Sequence, residues 1–565
     1  MRLALIPINP TVGAIDANTE QIAQHLDLAR ARGVDLAVFP ELCICAYPPK
    51  DLLLHEGFVV ACEEAVRRIG ERHSASINVI IGHPQRLETP SGGVRVANAL
   101  SVYRDGRRIT HYHKRLLPTY DVFDEDRYFT PGDKPALFEV AGIRVGLAVC
   151  EDLWRGIDAG FQSRYDAAVD PVGELVAAGA QLVVSPSASP FVLGKARSHF
   201  SIVAQHASRH GIAMASVNQY GGNDDLIFDG HAFVYAATGE LLASTTPFSQ
   251  ETLTLEIPTG DNPCAAPEVS QESLLFDALV LGVKDYLRKT GFQRALIGLS
   301  GGIDSAVTAA IAAAALGGKQ LLGVAMPGKY SSDHSRHDAE ELARRLGMDY
   351  ETIPIAKPFT GFRAALDPVL GTLGFSRLGE SLPDLSEENL QARTRGTILM
   401  TLSNRTGALL LTTGNKSELA VGYCTLYGDM NGGLAVLSDV AKQQVYRLAR
   451  HINKHHLTCG FATSPIPEST ITKPPSAELA PGQRDDNSLP PYELLDEIIE
   501  RYVEERQSVA HIVERSGFDE AMVRRIARLI DRNEYKRKQT AIGLKVTSVA
   551  FGPGRRMPIA QHWRA

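Results

Sequence analysis

Short apolar runs alternate with amphipathic helical stretches along nearly the whole chain, and one Pro- and Gly-rich interruption cuts that alternation in two. Before the break, LALIPI is followed by the helical NTEQIAQHLDLARARG, then by DLAVFPEL, INVIIGH, RVGLAVC, QLVVSPS and IAMASVNQ. NALSVYRDGRRITHYHK turns on Asp105-Gly106 and FDGHAFVYAATGELLAST on Thr238-Gly239, so both read as antiparallel hairpins. Hairpins mixed with strand-helix units imply a mixed sheet, and the first half is therefore an α/β domain. Between Ile257 and Pro267 the sequence PTGDNPCAAP loses all periodicity. We expect one domain over residues 1–258, a linker over 259–270 and a second domain over 271–565. In the second half a helical ESLLFDALVLGVKDYLRKTG leads to the strand RALIGLS, an Ala-rich helix and the strand LLGVAMP. That is the order of a doubly wound, Rossmann-like parallel sheet. LPDLSEENLQARTRGTILMTLSNRTG reads as helix and GALLLTTGN as strand, while KPPSAELAPGQRDDNSLPPY is a long polar loop, either surface filler or one of those that form lids and binding sites.

With 565 residues, 44% of them hydrophobic, the chain can bury two sizeable cores and is neither disordered nor collagen-like. Its 65 acidic and 58 basic residues give a net charge of −7, which offers polyanions such as nucleic acid no general attraction. From Asn533 onward, however, Lys536, Arg537, Lys538, Lys545, Arg555, Arg556 and Arg564 face one glutamate. Such a tail is either solvated or anion-binding. Seven cysteines are too sparse for a disulfide scaffold and suit a reducing cytoplasm, and Cys43 and Cys45 lack the second pair that zinc requires. MRLALIPINP reads as a strand stopped by prolines rather than a signal peptide, and the apolar stretch from Ala306 to Leu316 is too short to span a bilayer. We therefore expect no membrane anchor. No internal repeat relates the halves.

Cys150 ends the strand RVGLAVC, Glu41 follows LAVFP and Lys114 follows ITHYH, so each emerges where a buried strand ends. Singly, the thiol reads as a buried inert cysteine and the charges as solvated ones. Together, FPELCICAYPPKDLL, HKRLLPTYDVFDEDRYFTPGD and VGLAVCEDLW resemble the three signature segments of the nitrilase superfamily, in its glutaminase form. The resemblance implies an α-β-β-α sandwich with Cys150 as nucleophile, Glu41 as general base and Lys114 as oxyanion stabiliser. Attack on a carboxamide needs such a set: a thiolate, a carboxylate to take its proton and a cation for the tetrahedral oxyanion. The resemblance further implies that Tyr120, Glu125, Ser189 and Lys195 contact glutamine.

SGGIDS, Ser300 to Ser305, lies between the strand ALIGL and an Ala-rich helix, where free backbone N–H groups favour phosphate. It lacks the Gly-Lys-Ser/Thr ending of a Walker A loop. It resembles the loop of N-type ATP pyrophosphatases, which adenylate a substrate and release pyrophosphate. MPGKYSSDHS, EENLQARTRG, LLLTTGNKSELAVGYCTLYGD, KPPSAELAPGQRDDNSLPPYELLD and NEYKRKQ narrow that resemblance to NAD+ synthetases, and with the amidase half in front, to their glutamine-dependent form. The family implies ATP binding by Gly298, Leu299, Ser300, Gly301, Gly302, Ile303, Asp304, Ser305 and Thr413. It implies deamido-NAD+ binding by Asn389, Glu418, Tyr423, Cys424, Thr425, Leu426 and Lys536, with Mg²⁺ on Asp304 and Glu418. It also implies a homo-oligomer joined through the synthetase domains. Lys536 gives the basic tail an anionic partner. Arg393 and Arg395 cannot both face one ligand from a regular helix, and both are left out of the site. Ammonia is largely protonated near neutral pH, so an enclosed route between the sites is expected. Two alternatives stay open: an N-type enzyme acting on another acceptor such as a tRNA base, and a nucleotide-sensing protein without turnover.

Overall fold

The computed structural model describes the chain except for residues 89–93, 155–164, 166–167, 259–262, 379–382, 476, 484–488 and 564–565. The first part of the expected linker, Leu382, parts of the Pro-rich loop and Arg564 thus lie outside the described residues. The chain divides into two compact units, Met1–Leu274 and Leu275–Ala565. No described helix is long and apolar enough to cross a membrane.

In the first unit the strands are β1 (Arg2–Leu5), β2 (Leu36–Val38), β3 (Asn78–Glu88), β4 (Val94–Arg104), β5 (Arg107–His113), β6 (Leu137–Val140) and β7 (Ile143–Leu147). They continue with β8 (Leu182–Ser187), β9 (Ala213–Asn218), β10 (Tyr220–Asn223), β11 (Leu226–Asp229), β12 (Ala232–Tyr235), β13 (Leu241–Ser244) and β14 (Leu253–Glu256). One six-stranded sheet has the order β14-β1-β2-β3-β4-β5 and a second the order β13-β12-β9-β8-β7-β6, each parallel at its centre and antiparallel at its edges. Both expected hairpins form, as β4-β5 and β12-β13.

The period-two pattern of the strands explains the layers. Leu3 and Leu5 of β1 join Leu147, Leu182 and Val184 in one apolar layer between the sheets. Ala4 points the other way, onto α1 (Ile15–Ala31) and α2 (Glu56–His73), which bury Ile22, Leu26, Val66 and Ile69. Val183 likewise faces away from the middle layer, toward α3 (Pro171–Ala177) and α4 (Lys195–His210). The result is an α-β-β-α sandwich.

The second unit holds one parallel sheet of β15 (Ala295–Gly298), β16 (Leu321–Ala325), β17 (Asp349–Thr352), β18 (Leu409–Thr412), β19 (Leu434–Ala435) and β20 (Ile542–Gly543), in the order β17-β16-β15-β18-β19-β20. Its helices begin with α5 (Gln271–Thr290), α6 (Ile303–Leu316), α7 (Asp333–Leu346), α8 (Ala356–Thr372), α9 (Leu385–Thr406), α10 (Lys416–Val421) and α11 (Lys442–Lys454). α6 is alanine-rich and buried along most of its length, as the small side chains let it lie close to the sheet. The strand order reverses between β15 and β18, and in open α/β sheets ligands bind beyond the carboxyl ends of the strands at such a switch point.

The basic tail mostly neither floats nor waits for an anion. Arg537 is buried and donates to the carbonyls of Leu419, Ala420 and Ile530 and to Glu534. Arg555 reaches Glu534 and Asp531, and Lys545 the carbonyls of Thr547 and Ser548. Most of its charge therefore holds the tail onto the unit.

Gly82 in β3 allows the turn after β2 to lie against the sheet. A β-carbon there would sit 2.5 Å from the Leu42 amide nitrogen and 2.6 Å from the Pro40 carbonyl oxygen, on either side of Glu41. Gly82→Ala should therefore destabilise the first unit by about 1–3 kcal/mol, read by urea denaturation, because backbone rather than a flexible side chain must yield.

Candidate functional site

Three strand ends converge in the first unit. Glu41 follows β2, Lys114 follows β5 and Cys150 opens the turn Cys150–Leu153 after β7. Cys150 is held at φ +43°, in the left-handed region, where a non-glycine residue is costly and is kept only by its surroundings. The Lys114 ammonium donates to Glu41 Oε1 at 2.7 Å and to Glu125 Oε1 at 2.8 Å, and all three side chains are essentially sealed from solvent. Glu41 also accepts from Asn98 Nδ2 at 2.6 Å and from the Ala188 amide at 2.9 Å, while the Tyr47 hydroxyl donates to Glu125 at 3.0 Å.

Electrostatics assign the resting protons. Burial, and then the Glu41 charge, push the Cys150 thiol well above its ordinary range, partly opposed by Lys114. The resting cysteine is a neutral thiol that needs a base. Burial alone would lower the Lys114 pKa, but Glu125 and Glu41 more than offset it and keep the ammonium charged. Burial raises Glu125 to about 7, against the pull of Lys114. Glu125 is thus a carboxyl that can exchange its proton near neutrality.

The other expected residues surround this group. The Tyr120 hydroxyl lies 3.1 Å from both carboxylate oxygens of Glu151, next to Cys150. Lys195 opens α4 with its ammonium 5.1 Å over the Trp154 ring, and its charge acts on Glu151. Ser189 follows Ala188, and its backbone amide and carbonyl pair with the Asn218 side-chain amide. Sequence reasoning missed Tyr47, Asn98, Glu151 and Asp152. Asn98 carried a signal, since a polar residue within the apolar VANALSVY needs a buried partner.

In the second unit, a cavity of about 320 Å³ lies at the switch point. Gly298, Leu299, Ser300, Gly302, Ile303, Asp304, Ser305, Thr413, Glu418, Tyr423 and Cys424 all line it. Gly301 does not, because its position at φ +76° faces α7, where a β-carbon would meet the Ser335 carbonyl at 2.2 Å. The loop braces itself: Ser300 Oγ accepts from the Gly302 amide and lies 3.1 Å from Ser305 Oγ. Asn389, Thr425, Leu426 and Lys536 are not among the residues that line the cavity. Asn389 Oδ1 accepts from Thr425, the Leu426 carbonyl accepts from Arg393, and the Lys536 ammonium donates to the carbonyls of Gly422 and Cys424 at 2.8 Å each. They shape the 422–430 loop.

Lys442 was not anticipated. Its ammonium lies 2.5 Å from Asp304 Oδ2 and 3.2 Å from Glu418 Oε1, and those carboxylates keep it charged despite burial. A lysine at the first position of α11 opposes the helix dipole, and that local conflict was its only sequence signal. Arg395 also lines the cavity, with its Nε donating to the Met326 carbonyl at 3.0 Å and its pKa pushed down to about 10 by burial. The helix geometry does separate Arg393 from Arg395, but setting both aside lost the one that faces inward. Asp304 and Glu418 converge on one point and offer hard oxygens, a donor pair that suits Mg²⁺ shared with phosphates. Among the described residues no third such ligand joins them.

Comparisons agree with both halves. Residues 2–261 match the carbon-nitrogen hydrolase family and residues 275–540 the NAD synthase family. The chain is 46% identical to a glutamine-dependent NAD(+) synthetase of a Synechocystis species, covering 99% of this chain and 98% of the relative. It is 38% identical to one from Thermotoga maritima, over 100% and 99%. A solved glutamine-dependent NAD+ synthetase from Acinetobacter baumannii, in complex with adenosine diphosphate, superposes with a TM-score of 0.75 at 37% identity, over 99% of this chain and 98% of that one. One from Cytophaga hutchinsonii, at 22% identity and a TM-score of 0.82 over 99% and 98%, shares the fold.

As pH rises through about 7, Glu125 ionises and its charge opposes thiolate formation at Cys150. Alkylation of Cys150 by iodoacetamide should therefore climb less steeply above that pH in the wild type than in Glu125→Gln. The variant should react several-fold faster at about pH 8, since each pKa unit removed from a thiol is worth about tenfold in thiolate.

Proposed function

The chain belongs to the glutamine-dependent NAD(+) synthetases, and from that membership we propose how its own residues divide the reaction. The enzyme amidates deamido-NAD+ to NAD+ with ATP and glutamine. Full-length kinship sets aside the tRNA-type acceptor and the protein without turnover. The observation that carries the reading of the first unit is the Lys114 ammonium shared between Glu41 and Glu125 beside Cys150.

In the first unit, taken as residues 1–258, Glu41 removes the thiol proton and Cys150 Sγ attacks the glutamine carboxamide carbon. Lys114 stabilises the oxyanion. As the carbonyl re-forms, the C–N bond breaks and ammonia leaves with the proton held by Glu41. Water then attacks the thioester, giving its proton to Glu41 and releasing glutamate and the thiol. Tyr120, Glu125, Ser189 and Lys195 hold the glutamine.

In the second unit, taken as residues 271–565 beyond a linker, the nicotinate carboxylate of deamido-NAD+ attacks the α-phosphorus of ATP and pyrophosphate leaves. Ammonia passed from the first unit attacks the acyl-adenylate, and AMP departs in place of a poor leaving group. Residues 298–305 and Thr413 bind ATP, and Glu418 and Tyr423 to Leu426 receive deamido-NAD+, with Asn389 and Lys536 shaping that loop. Asp304 and Glu418 would hold Mg²⁺, which would neutralise phosphate charge as pyrophosphate departs. Lys442 keeps these two carboxylates together and offers a positive charge to the same phosphates.

The finer setting is also proposed. All seven cysteines are free, which suits the cytoplasm. The chain forms a homo-oligomer through its second unit. α8 buries none of its residues and presents Phe362, Leu366, Val369 and Leu373 at helical spacing, 41 to 65% exposed, with Phe375 beyond them. A second copy of this chain is the partner that covers this stripe.

Two experiments test these assignments. Cys150→Ala should lower glutamine-dependent NAD+ formation by roughly a thousandfold or more while ammonia-dependent formation persists, and retained glutaminase would remove Cys150 from the role. Val369→Glu should shift the sedimentation coefficient from oligomer toward monomer; a monomeric wild type would exclude the interface.

A further inference from the structure

The reacting groups of the first unit come from two different sheets. Lys114 ends β5 of one sheet and Cys150 follows β7 of the other, and the layer between those sheets is apolar. Apolar packing is non-directional and sets no distance to a few tenths of an ångström. One buried carboxylate supplies direction at this point. Asp152 is fully buried; its Oδ1 accepts from the amides of Arg115 at 3.0 Å and Leu116 at 2.9 Å. Its Oδ2 accepts from the Val149 amide at 2.9 Å and the Tyr112 hydroxyl at 2.9 Å. The two amides on Oδ1 follow Lys114 in sequence, and the amide on Oδ2 precedes Cys150.

Resting on the reading of Cys150 as nucleophile and Lys114 as its cationic partner, we propose that Asp152 is a positioning residue. It staples the backbone of Lys114 to that of Cys150 and so sets the reach of the ammonium to the reacting sulfur and oxyanion. A carboxylate has about four lone-pair positions, and here all four are used by donors. An asparagine has one acceptor oxygen, and its amide would face two further donors with a donor. Asp152→Asn should therefore loosen the staple while keeping volume and shape. The strained turn at Cys150 makes that loosening consequential, because a backbone held at φ +43° relaxes when its restraint weakens.

The test uses the full-length enzyme and the variants Asp152→Asn and Tyr112→Phe, the latter removing one donor of four. For Asp152→Asn we expect glutaminase kcat to fall about a hundredfold, as displacement by about an ångström does elsewhere, with KM for glutamine changed less than threefold. Tyr112→Phe should show a smaller loss of the same kind. Ammonia-dependent NAD+ formation should stay at the wild-type level in both. The charged groups acting on the thiol are Glu41, Lys114, Glu151 and Glu125. A looser Lys114 should move the pH midpoint of Cys150 alkylation upward, whereas removal of a nearby negative charge alone would move it downward. The proposal is overturned by unchanged kcat, by a downward midpoint, or by loss of active protein in which the remaining fraction keeps wild-type KM and midpoint. Cys150→Ala is run beside them: if it retains glutaminase, the nucleophile assignment fails rather than the staple.

Discussion

A lysine ammonium sealed from water is the constraint on which the first unit is built. Removing such an ion from solvent costs several kcal/mol, and only close, well-aligned partners offset it. Lys114 is 1% exposed, and its partners arrive from separated segments: Glu41 from the turn after β2, and Glu125 from a short turn beyond β5. Those partners need partners in turn. Asn98 of β4 and the Ala188 amide beyond β8 hold Glu41, and Tyr47 holds Glu125. The chain of satisfaction runs from one sheet to the other, so this end of the sandwich is specified by polar contacts and the remainder by apolar ones. The closeness of the Glu41 turn to Gly82 belongs to the same demand.

The fold was legible wherever period and punctuation act locally. Hairpins at Asp105-Gly106 and Thr238-Gly239, the parallel core of the second unit and the strand-loop-helix at Ser300 to Ser305 all follow from short-range signals. The stacking of two sheets did not, since alternation in Leu3-Ala4-Leu5 says that both faces are buried but not by what; it came from the resemblance. Candidate site residues were brought together by the structure where they sat in compact motifs. Lys442 was not anticipated, its only signal being a charge that opposes its helix dipole, and Arg395 was set aside together with Arg393 although it lines the cavity. Asp152 was hidden by its neighbour, since CEDLW draws attention to the cysteine while the staple depends on amides 36 and 37 residues away in sequence.

The basic tail shows why net charge alone does not name a partner. An excess of lysine and arginine left a solvated and an anion-binding tail both open, and the structure spends Arg537, Arg555 and Lys545 on carbonyls and on Glu534 and Asp531. Arginine suits this work because its fork of donors can satisfy several helix-end carbonyls at once. Even Lys536 acts at one remove from the cavity, through the carbonyls of Gly422 and Cys424.

The two units repeat one electrostatic device with opposite access to water. Each gathers two carboxylates on one ammonium: Glu41 and Glu125 on Lys114, Asp304 and Glu418 on Lys442. In the first, the carboxylate side chains are 1% and 4% exposed, so the charges cannot be exchanged for solvent ions. In the second they are 17% and 18% exposed and line the cavity, so phosphate oxygens and a hard cation can reach them. The same three charges suit the proposed proton transfer when sealed and the proposed phosphate chemistry when open, because burial raises the cost of a carboxylate's charge and exposure lets a ligand reach it. That difference in exposure, together with the Cys150 thiol beside the first set, matches the different roles proposed for the two sites.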